Sequence, residues 1–317
     1  MNFLAGVDEA GLGPILGPLV VAGVAMSGPE GQDPWKLLRR HVARRKQEKG
    51  KVRVADSKKV HQGPHGRRYL EETALVFWTA LHGELPRTLG DWLHQLGGDT
   101  SRLSRCPWYE DLGMRLPLDA DADWIRLLAE LVARVLQKGD TTIVEIAVRA
   151  VDVEEWNGLI ADTDNKSRAH FHAYGDVLGR VLQRLPAGGG GHVVADRCGG
   201  RMHYTADLRA LCPDARVEIV REEAAISTYR LHRDGGVAMV TFAERGEDRA
   251  FPTALASCFA KYLRELMVEC LNRWFCARVP GLLPTAGYFT DGHRFLDQLA
   301  PHLTELALPR ERLVRVR

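Results

Sequence analysis

Short apolar runs separated by glycine and proline dominate the start of the chain. The segments FLAGVDEA and ILGPLVVAGVAM are rich in β-forming residues, and GLGP lies between them. Runs of this length, bounded by turn residues, are typical of strands. The pattern therefore predicts two strands joined by a turn, with Asp8 and Glu9 at the end of the first strand.

Farther along the chain, apolar residues recur at helical spacing in some segments and in short runs in others. Helices are predicted at residues 34–49, 67–81, 122–138 and 166–185, around Leu208, from Pro252 to Phe275, and at 293–306. Strands are predicted in KVRVAD, TTIVEIAVRAVD, GHVVAD and ARVEIV, with a hairpin in STYRLHRDGGVAMVTFAE that turns at 234–236. Strands followed by alternating helices and strands predict an α/β fold, with a mixed central sheet flanked by helices.

The domain organisation follows from where this periodicity fails. Residues 85–121 are irregular and rich in glycine, proline and tryptophan, which indicates an insertion outside the core. No low-complexity linker divides the chain. We predict one larger domain over residues 1–250, which includes this insertion and an added hairpin at about 226–242. Residues 251–317 are predicted to form a C-terminal helical part.

Composition sets broad limits on the class of protein. The 317 residues are 45% hydrophobic and 26% charged, which is ordinary for a globular protein. No apolar run approaches the roughly 20 residues that span a bilayer, and the chain starts without a charged leader. The six cysteines form no C-x-x-C pair, so we expect reduced, structural cysteines rather than a zinc site. We therefore expect a cytoplasmic protein without membrane attachment.

Charge is distributed unevenly, although the formal net charge is only +2. Residues 36–59 contain 11 Lys or Arg against Glu48 and Asp56. A local excess of this kind attracts phosphate groups, whereas the alternative is a solvated helix face followed by a loop. The segment indicates phosphate contact only because of the motifs that flank it.

Three carboxylates at the ends of apolar strands are the first candidates for chemistry. Asp8 and Glu9 end the first predicted strand, and Asp196 ends HVVAD. Neighbouring side chains of a strand point to opposite faces. Asp8 and Glu9 can therefore serve one site only where the strand frays into its turn, and the glycines and proline of GLGP supply such a turn.

The predicted helix after Pro252 carries a polar stripe on an otherwise apolar surface. Ser257, Lys261, Arg264 and Glu265 lie on one face at helical spacing. This stripe is either a solvent-exposed face with a Lys261–Glu265 pair or the wall of a charged cleft in which Glu265 is a ligand. Carboxylates that converge from separate elements suit hard cations such as Mg²⁺ or Mn²⁺.

Five motifs in order along the chain resemble one family. The segment GVDEAGLGPILGPLVVAGV resembles the opening signature of the type 2 ribonucleases H, the ribonucleases HII and HIII. The later segments ADSKKV, VVAD, ALASCFAKYLRE and AGYFTDGH are similar to further motifs of that family. The set extends from Val7 to His293 and implies a ribonuclease H-like fold.

The resemblance also implies a reaction and a site. It implies an endonuclease that hydrolyses the RNA strand of RNA–DNA hybrids, or cuts at ribonucleotides embedded in DNA, leaving 5′-phosphate and 3′-hydroxyl ends. Four acids are implied to bind two Mg²⁺ or Mn²⁺ ions and to carry the catalysis: Asp8, Glu9, Asp196 and Glu265. Implied substrate contacts are Gly11, Leu12, Gly13, Ser57, Lys58, Lys59, Ser257, Lys261 and Tyr288. Nucleic acid is the expected partner, and we infer no obligate protein partner.

Among these contacts, the backbone of residues 11–13 is implied to recognise a ribose 2′-hydroxyl, the group that distinguishes RNA from DNA. Ser57, Lys58 and Lys59 are implied to hold phosphates. Tyr288 is implied to stack on a sugar beside the scissile bond.

The chain departs from the family pattern at several positions. Leu12 stands where ribonuclease HII usually has Arg, Phe289 where it has Gly, and Arg197 where Gly follows the third acid. Glu265 replaces the aspartate of ribonuclease HII. Arg197 opens a segment whose Arg201 we add as a hypothetical phosphate contact. The departures leave two alternatives open, a structure-specific deoxyribonuclease of the same fold and a catalytically silent relative that binds nucleic acid.

Overall fold

A mixed seven-stranded sheet forms the centre of the computed structural model, which describes residues 2–186, 190–233 and 235–316. Its strands, in chain order, are β1 (Asn2–Ala10), β2 (Leu19–Gly28), β5 (Thr142–Val151), β6 (Gly191–Asp196), β7 (Arg216–Glu223), β8 (Ile226–Arg233) and β9 (Gly236–Ala243). Two short strands, β3 (Val42–Ala43) and β4 (Val52–Arg53), form a separate pair. The order in the main sheet is β5-β2-β1-β6-β9-β8-β7.

Strand β1 pairs antiparallel with β2 and parallel with β6, and β6 pairs parallel with β9. The α-helices are α1 (Pro34–Leu37), α2 (Ser57–Val60), α3 (Gly66–His82), α4 (Leu89–Gln95), α5 (Thr100–Leu103), α6 (Ala122–Lys138), α7 (Val153–Thr163), α8 (Lys166–Gln183), α9 (Thr205–Leu211), α10 (Gly246–Arg249), α11 (Phe251–Cys276) and α12 (Phe289–Leu299). Three 3-10 helices cover Pro107–Tyr109, Ala300–His302 and Arg310–Arg312. The predicted mixed sheet with flanking helices is confirmed.

Helix α11 and the central strand β1 approach each other unusually closely. A Cβ at Gly6 would lie 2.2 Å from the backbone nitrogen of Thr253, so only glycine fits at this point of β1. Helix α8 covers the opposite face of the sheet, and two hydrophobic cores result, one on each face. The sheet is therefore buried on both sides at β1 and β2, which explains their nearly continuous apolar sequences.

The predicted helix at 34–49 is wrong. Helix α1 ends at Leu37, and the chain then extends so that β3 pairs with β4. The indole nitrogen of Trp35 donates to the Val54 carbonyl oxygen at 2.9 Å and holds the two segments together. Pairing with a distant segment has overridden the local helical preference.

Helix α7 is absent from the sequence prediction. Its N-cap is Asp152, whose carboxylate accepts from the Glu155 amide at 2.8 Å. The predicted strand extended through this aspartate, although Asp followed three residues later by Glu is a signal for the start of a helix. The last helix also differs, because α12 begins at Phe289, four residues before the predicted start.

The insertion at 85–121 belongs to the core, which contradicts our expectation. Trp92 and Leu93 of α4 are completely buried. The Trp92 ring lies 5.6 Å from that of Tyr262 on α11. The segment is also held by its backbone, because the amides of Asp119 and Ala120 donate to the buried Glu71 carboxylate, each at 2.6 Å. Irregular sequence here therefore packs as tightly as regular elements do.

The predicted hairpin is confirmed as the antiparallel pair of β8 and β9. Part of its predicted turn, Asp234, lies outside the described residues. The boundary between residues 1–250 and 251–317 stays a prediction, and α11 shares its hydrophobic core with β2. Across the parts of the chain that the structure describes, no helix is long and apolar enough to cross a membrane.

Candidate metal centre

Three of the sequence-predicted acids come together at the end of two parallel strands. Asp8 and Glu9 lie on β1 and Asp196 ends β6, and one carboxylate oxygen from each lies within 4.8 Å of the others. Asp8 is 7% exposed, and the Glu9 side chain is 12% exposed. Hard divalent cations bind oxygen ligands in such clusters.

The sequence led us to expect that the first strand frays at Asp8 and Glu9, but β1 stays intact there. Asp8 and Glu9 remain paired in register with Ala22 and Val21 of β2. On the other side, the register between β1 and β6 ends at Val7. Because the neighbouring strand stops there, the side chains of Asp8 and Glu9 can both reach Asp196 from opposite faces of an intact strand.

Three further hydrogen bonds fix this arrangement. The buried Tyr174 hydroxyl on α8 donates to the carbonyl oxygens of Val7 at 2.8 Å and Asp196 at 3.0 Å, which ties the two strands together. The Gly246 amide donates to Asp196 Oδ1 at 3.0 Å. The carboxylates are therefore held in place by the surrounding residues.

Burial and mutual repulsion disfavour the charged form of this cluster. The pKa of Asp8 is raised, first by burial and then by the charges of Asp196 and Glu9. Burial and Asp196 raise the pKa of Glu9 to about 8. Burial also raises the pKa of Asp196, although the amides of Gly246 and Arg197 oppose the shift. Lys58 lowers the pKa of Glu9 and that of Asp196, so it lies close enough to act on both.

Glu9 also faces a buried histidine that the sequence analysis did not use. The His170 Nε2 atom is 3.8 Å from Glu9 Oε1, and His170 is 2% exposed. Burial lowers the pKa of His170 to about 4, so the ring is neutral at pH 7. Within the described part of the chain, the buried Glu9 Oε2 and His170 Nε2 atoms have no hydrogen-bond partner.

A fourth acid near this cluster is Glu247 on the one-turn helix α10. Its charge raises the pKa values of Asp8 and Glu9, and Asp196 in turn raises the pKa of Glu247 after the larger effect of burial. The residue before it, Gly246, binds Asp196 directly. Sequence reasoning missed Glu247, although it follows the end of β9 as Asp196 ends β6.

Glu265, the fourth acid predicted from the sequence, is not in the group of three that the described residues form. One of its oxygens lies 2.6 Å from Lys261 Nζ and 3.3 Å from Arg264 Nη1. Its other oxygen is 3.8 Å from His61 Nε2. Burial opposes ionisation, but Lys261 and Arg264 outweigh it and lower the pKa of Glu265. The stripe on α11 thus forms an ion-pair network.

The glycine turn after β1 lies beside this network. Gly11 has a φ of +93°, a conformation that favours glycine. Leu12 packs partly against the core, and a Cβ at Gly13 would meet open space. The amides of Ile15 and Leu16 donate to the Gly287 carbonyl oxygen at 2.9 and 3.2 Å, which joins this turn to the Tyr288 segment.

Tyr288 lies at the surface above the α11 stripe. It is 48% exposed, and its ring centroid is 5.3 Å from the Arg264 guanidinium carbon and 5.8 Å from Lys261 Nζ. An exposed ring beside cations can stack on a nucleotide. The structure therefore brings Tyr288 and Lys261 together, as a shared substrate contact requires.

Ser57 and the lysines of the ADSKKV motif have different environments, and Ser57 meets Ser257 of α11. Ser57 and Ser257 are buried, and their hydroxyls are hydrogen-bonded at 3.0 Å. Ser257 also lies close enough to Asp8 to lower the pKa of its carboxyl, although burial raises that pKa overall. Lys58 is exposed, whereas Lys59 Nζ pairs with Asp248 at 3.1 Å. Lys58 is thus an exposed cation beside the acids, and the buried Ser257 reaches Asp8.

Arg201, added as a hypothetical phosphate contact, already has a partner. It pairs with Asp207, its guanidinium carbon lies 4.8 Å from the Phe171 ring, and its side chain is 17% exposed. A role in phosphate binding would require this pair to open, and that role stays a prediction.

Comparisons with known proteins gave matches among solved structures. No family model matches the chain, and no curated protein matches it. The chain is similar to the ribonuclease HII of Archaeoglobus fulgidus, solved in complex with PCNA, at 19% identity over 99% of this chain and 94% of that one, with a TM-score of 0.45. It is also similar to the ribonuclease H2 of Pyrococcus horikoshii OT3, at 13% identity over 99% and 92% of the two chains, with a TM-score of 0.43.

A third similar structure is Bst-RNase HIII in complex with Mn²⁺, at 13% identity over 99% of this chain and 65% of that one, with a TM-score of 0.41. All three TM-scores lie below 0.5, so these likenesses by themselves decide nothing about activity.

Proposed function

We propose that this chain is a divergent type 2 ribonuclease H, an endonuclease that hydrolyses the RNA strand of RNA–DNA hybrids or cuts at ribonucleotides embedded in DNA. The observation that carries the proposal is the convergence of Asp8, Glu9 and Asp196 within 4.8 Å at the ends of two parallel strands. The ordered motifs around these acids support the family. Nucleic acid is the proposed partner, no obligate protein partner is included, and the proposed location is the cytoplasm.

The residues of the site fit divalent cations. The carboxylates are crowded, and their pKa values stay raised because Lys58 offsets only part of the effect of burial and mutual repulsion. Among the described residues, the buried Glu9 Oε2 atom has no hydrogen-bond partner. We assign Asp8, Glu9 and Asp196 as ligands of Mg²⁺ or Mn²⁺, and Glu247 in place of Glu265 as the fourth. When bound, two such ions would supply an activated water and stabilise the leaving oxygen of a phosphodiester.

The chain's own residues position the substrate in this proposal. Lys58 contacts a phosphate, and Tyr288 stacks on a sugar beside the scissile bond. The amides of Leu12 and Gly13 have no acceptor among the described residues and are available to a ribose 2′-hydroxyl. Hydrolysis at this position would leave 5′-phosphate and 3′-hydroxyl ends.

A cleavage assay tests the proposal. Labelled duplexes of one sequence would carry RNA, DNA or a single ribonucleotide in one strand and be incubated with Mg²⁺ or Mn²⁺. We expect cleavage of the two ribose-containing substrates by the wild type and none by Asp8→Asn. Asp123→Asn is the matched control, since the Asp123 side chain is 94% exposed on α6.

The same assay separates the alternatives. Cleavage of the all-DNA duplex would contradict ribose specificity and favour a structure-specific deoxyribonuclease. Binding without cleavage in either metal would favour a silent relative. Mapping the ends by ligation and phosphatase treatment would test the proposed 5′-phosphate and 3′-hydroxyl.

A further inference from the structure

A buried arginine near the end of the described chain binds the glycine turn. Arg315 is 4% exposed. Its Nη1 atom donates to the Gly11 carbonyl oxygen at 2.6 Å, and its Nε and Nη2 atoms donate to the Gly17 carbonyl oxygen at 2.9 and 2.8 Å. Its own amide donates to the Ile15 carbonyl oxygen at 3.0 Å. One residue thus holds three carbonyl groups of this turn.

The segment that carries Arg315 is itself anchored. The indole nitrogen of Trp156 on α7 donates to the Val316 carbonyl oxygen at 3.1 Å. The side-chain amide of Asn157 donates to Val314 and accepts from Val316, at 2.9 and 2.8 Å. The guanidinium therefore occupies a fixed position before any substrate binds.

The charge of Arg315 is balanced by backbone carbonyl groups. Among the described residues it has no carboxylate partner. Arg264 also lies close to this turn, because a Cβ at Gly11 would be 2.7 Å from its Cδ and Nε atoms. Burying a guanidinium without a counter-ion is costly, so the arrangement calls for a role beyond packing.

The geometry of the peptide bond links this contact to the cleft. In a trans peptide the carbonyl oxygen and the following N–H point in opposite directions. In the described chain only Leu116–Pro117 is cis, so the peptide between Gly11 and Leu12 is trans. A carbonyl directed toward Arg315 therefore directs the Leu12 amide away from it. That amide has no acceptor among the described residues.

We propose that Arg315 is a positioning residue for ribose recognition: it orients the Gly11–Leu12 peptide so that the Leu12 amide faces the substrate. Together with Arg264 it also places two positive charges close to Gly11. The inference rests on the proposed function, since it assigns a cause to the ribose specificity proposed for that turn.

Substitutions in an Asp8→Asn background would test it without cleavage. Arg315→Ala is compared with Arg315→Lys, which keeps the charge but loses the planar fork, and with Arg312→Ala as a control in the same segment. Affinity for a hybrid duplex and for an all-DNA duplex of the same sequence is measured by fluorescence anisotropy. We expect Arg315→Ala to lower the affinity for the hybrid duplex roughly 10- to 100-fold and to leave the affinity for the DNA duplex unchanged. Arg315→Lys should lower the hybrid affinity by less. Arg312→Ala should bind both duplexes as the Asp8→Asn protein does.

Amide hydrogen exchange supplies a readout that does not depend on activity. The Ile15 and Leu16 amides, which bond Gly287, should exchange faster in Arg315→Ala or, if that variant does not fold, in Arg315→Lys. Unchanged exchange together with unchanged hybrid-to-DNA discrimination would overturn the inference. Failure of the wild type to prefer or cleave ribose-containing duplexes would instead overturn the proposed function, while faster exchange would still identify Arg315 as the residue that orders the turn.

Discussion

The acids of the candidate site illustrate what single residues reveal in a sequence. Asp8, Glu9 and Asp196 could be predicted because each ends an apolar strand, and parallel strands bring their carboxyl ends to one edge. Glu247 could not, because it lies on a single helical turn too short for periodicity. The visible stripe on α11 directed attention to Glu265 instead. Sequence periodicity identifies polar residues on long helices and strands, whereas a metal site depends on which carboxylates lie close together in the folded chain.

The choice between Glu247 and Glu265 is testable by matched substitutions. Residues that only support the ligands of a metal contribute roughly 10- to 100-fold to metal affinity or activity. We expect Glu247→Gln to weaken Mn²⁺ binding and cleavage by more than this, because Glu247 is proposed as a ligand. Glu265→Gln should have a smaller effect, because Glu265 pairs with Lys261 and Arg264. Isothermal titration calorimetry with Mn²⁺ and single-turnover cleavage measure both. A larger loss of Mn²⁺ binding and cleavage for Glu265→Gln than for Glu247→Gln would identify Glu265 as the fourth metal ligand.

The raised pKa values predict how stability depends on pH. Burial, and then the charge of Asp196, raises the pKa of Glu9 from 4.5 to about 8, and the pKa values of Asp8 and Asp196 are raised as well. The folded state then binds protons more tightly than the unfolded chain, so this stabilisation is complete below about pH 4.5 and is lost as pH rises toward about 8.

Thermal unfolding in a chelator between about pH 5 and about pH 8 measures this loss. Asp8→Asn should flatten the dependence, since it removes one ionisable group and lowers the pKa values of its neighbours. Adding Mn²⁺ at the upper end of the range should raise the Tm of the wild type more than that of the variant. A wild type whose stability rises steadily over this range would contradict the assignment.

At the scale of elements, long periodic helices such as α6, α8 and α11 could be predicted, and short or irregular segments could not. Helix α7 was missed because its start directly follows a strand. The helix predicted at 34–49 was lost to pairing between β3 and β4. The start of α7 carries a local capping signal at Asp152 and Glu155, whereas the pairing of β3 with β4 leaves no helical or strand periodicity in so short a stretch.

The contribution of the insertion at 85–121 to the core can be measured with two leucines. Leu93 is completely buried on α4, and Leu127 is 59% exposed on α6. Leu93→Ala should lower the free energy of unfolding by about 2–5 kcal/mol, because it removes buried methyl groups and leaves a cavity. Leu127→Ala should change it by less than about 0.5 kcal/mol. Urea denaturation measures both, and equal effects would place α4 outside the cooperative core.

At the scale of the whole molecule, the fold class could be predicted but the strand order could not. Alternating elements predict a mixed sheet, whereas the order β5-β2-β1-β6-β9-β8-β7 depends on pairings between distant segments. The net charge of +2 also conceals how charge is distributed. Several predicted phosphate-binding cations are engaged in ion pairs, among them Lys59 and Arg201.

Salt dependence of binding can identify which cations contact nucleic acid. The logarithm of the binding constant falls with the logarithm of salt concentration by about 0.7–0.9 per neutralised phosphate. Lys58→Ala should make this slope shallower by about that amount, since the exposed Lys58 lies beside the acids. Arg134→Ala, at an exposed position paired with Glu130, is the control. An unchanged slope for Lys58→Ala would remove it from the phosphate contacts.

The hydroxyls of Ser57 and Ser257 meet beneath Asp8, although they are 200 residues apart in the chain. On the ribosome, β1 and its acids are synthesised first. At about 5–20 residues per second, the synthesis of α11 is complete roughly 10 to 50 s later. During that interval the apolar faces of β1 and β2 lack their cover, and the acids lack their partners. The acidic cluster is therefore completed only late in synthesis, after β6 has supplied Asp196, and until then the unfinished chain exposes apolar surface that chaperones can bind.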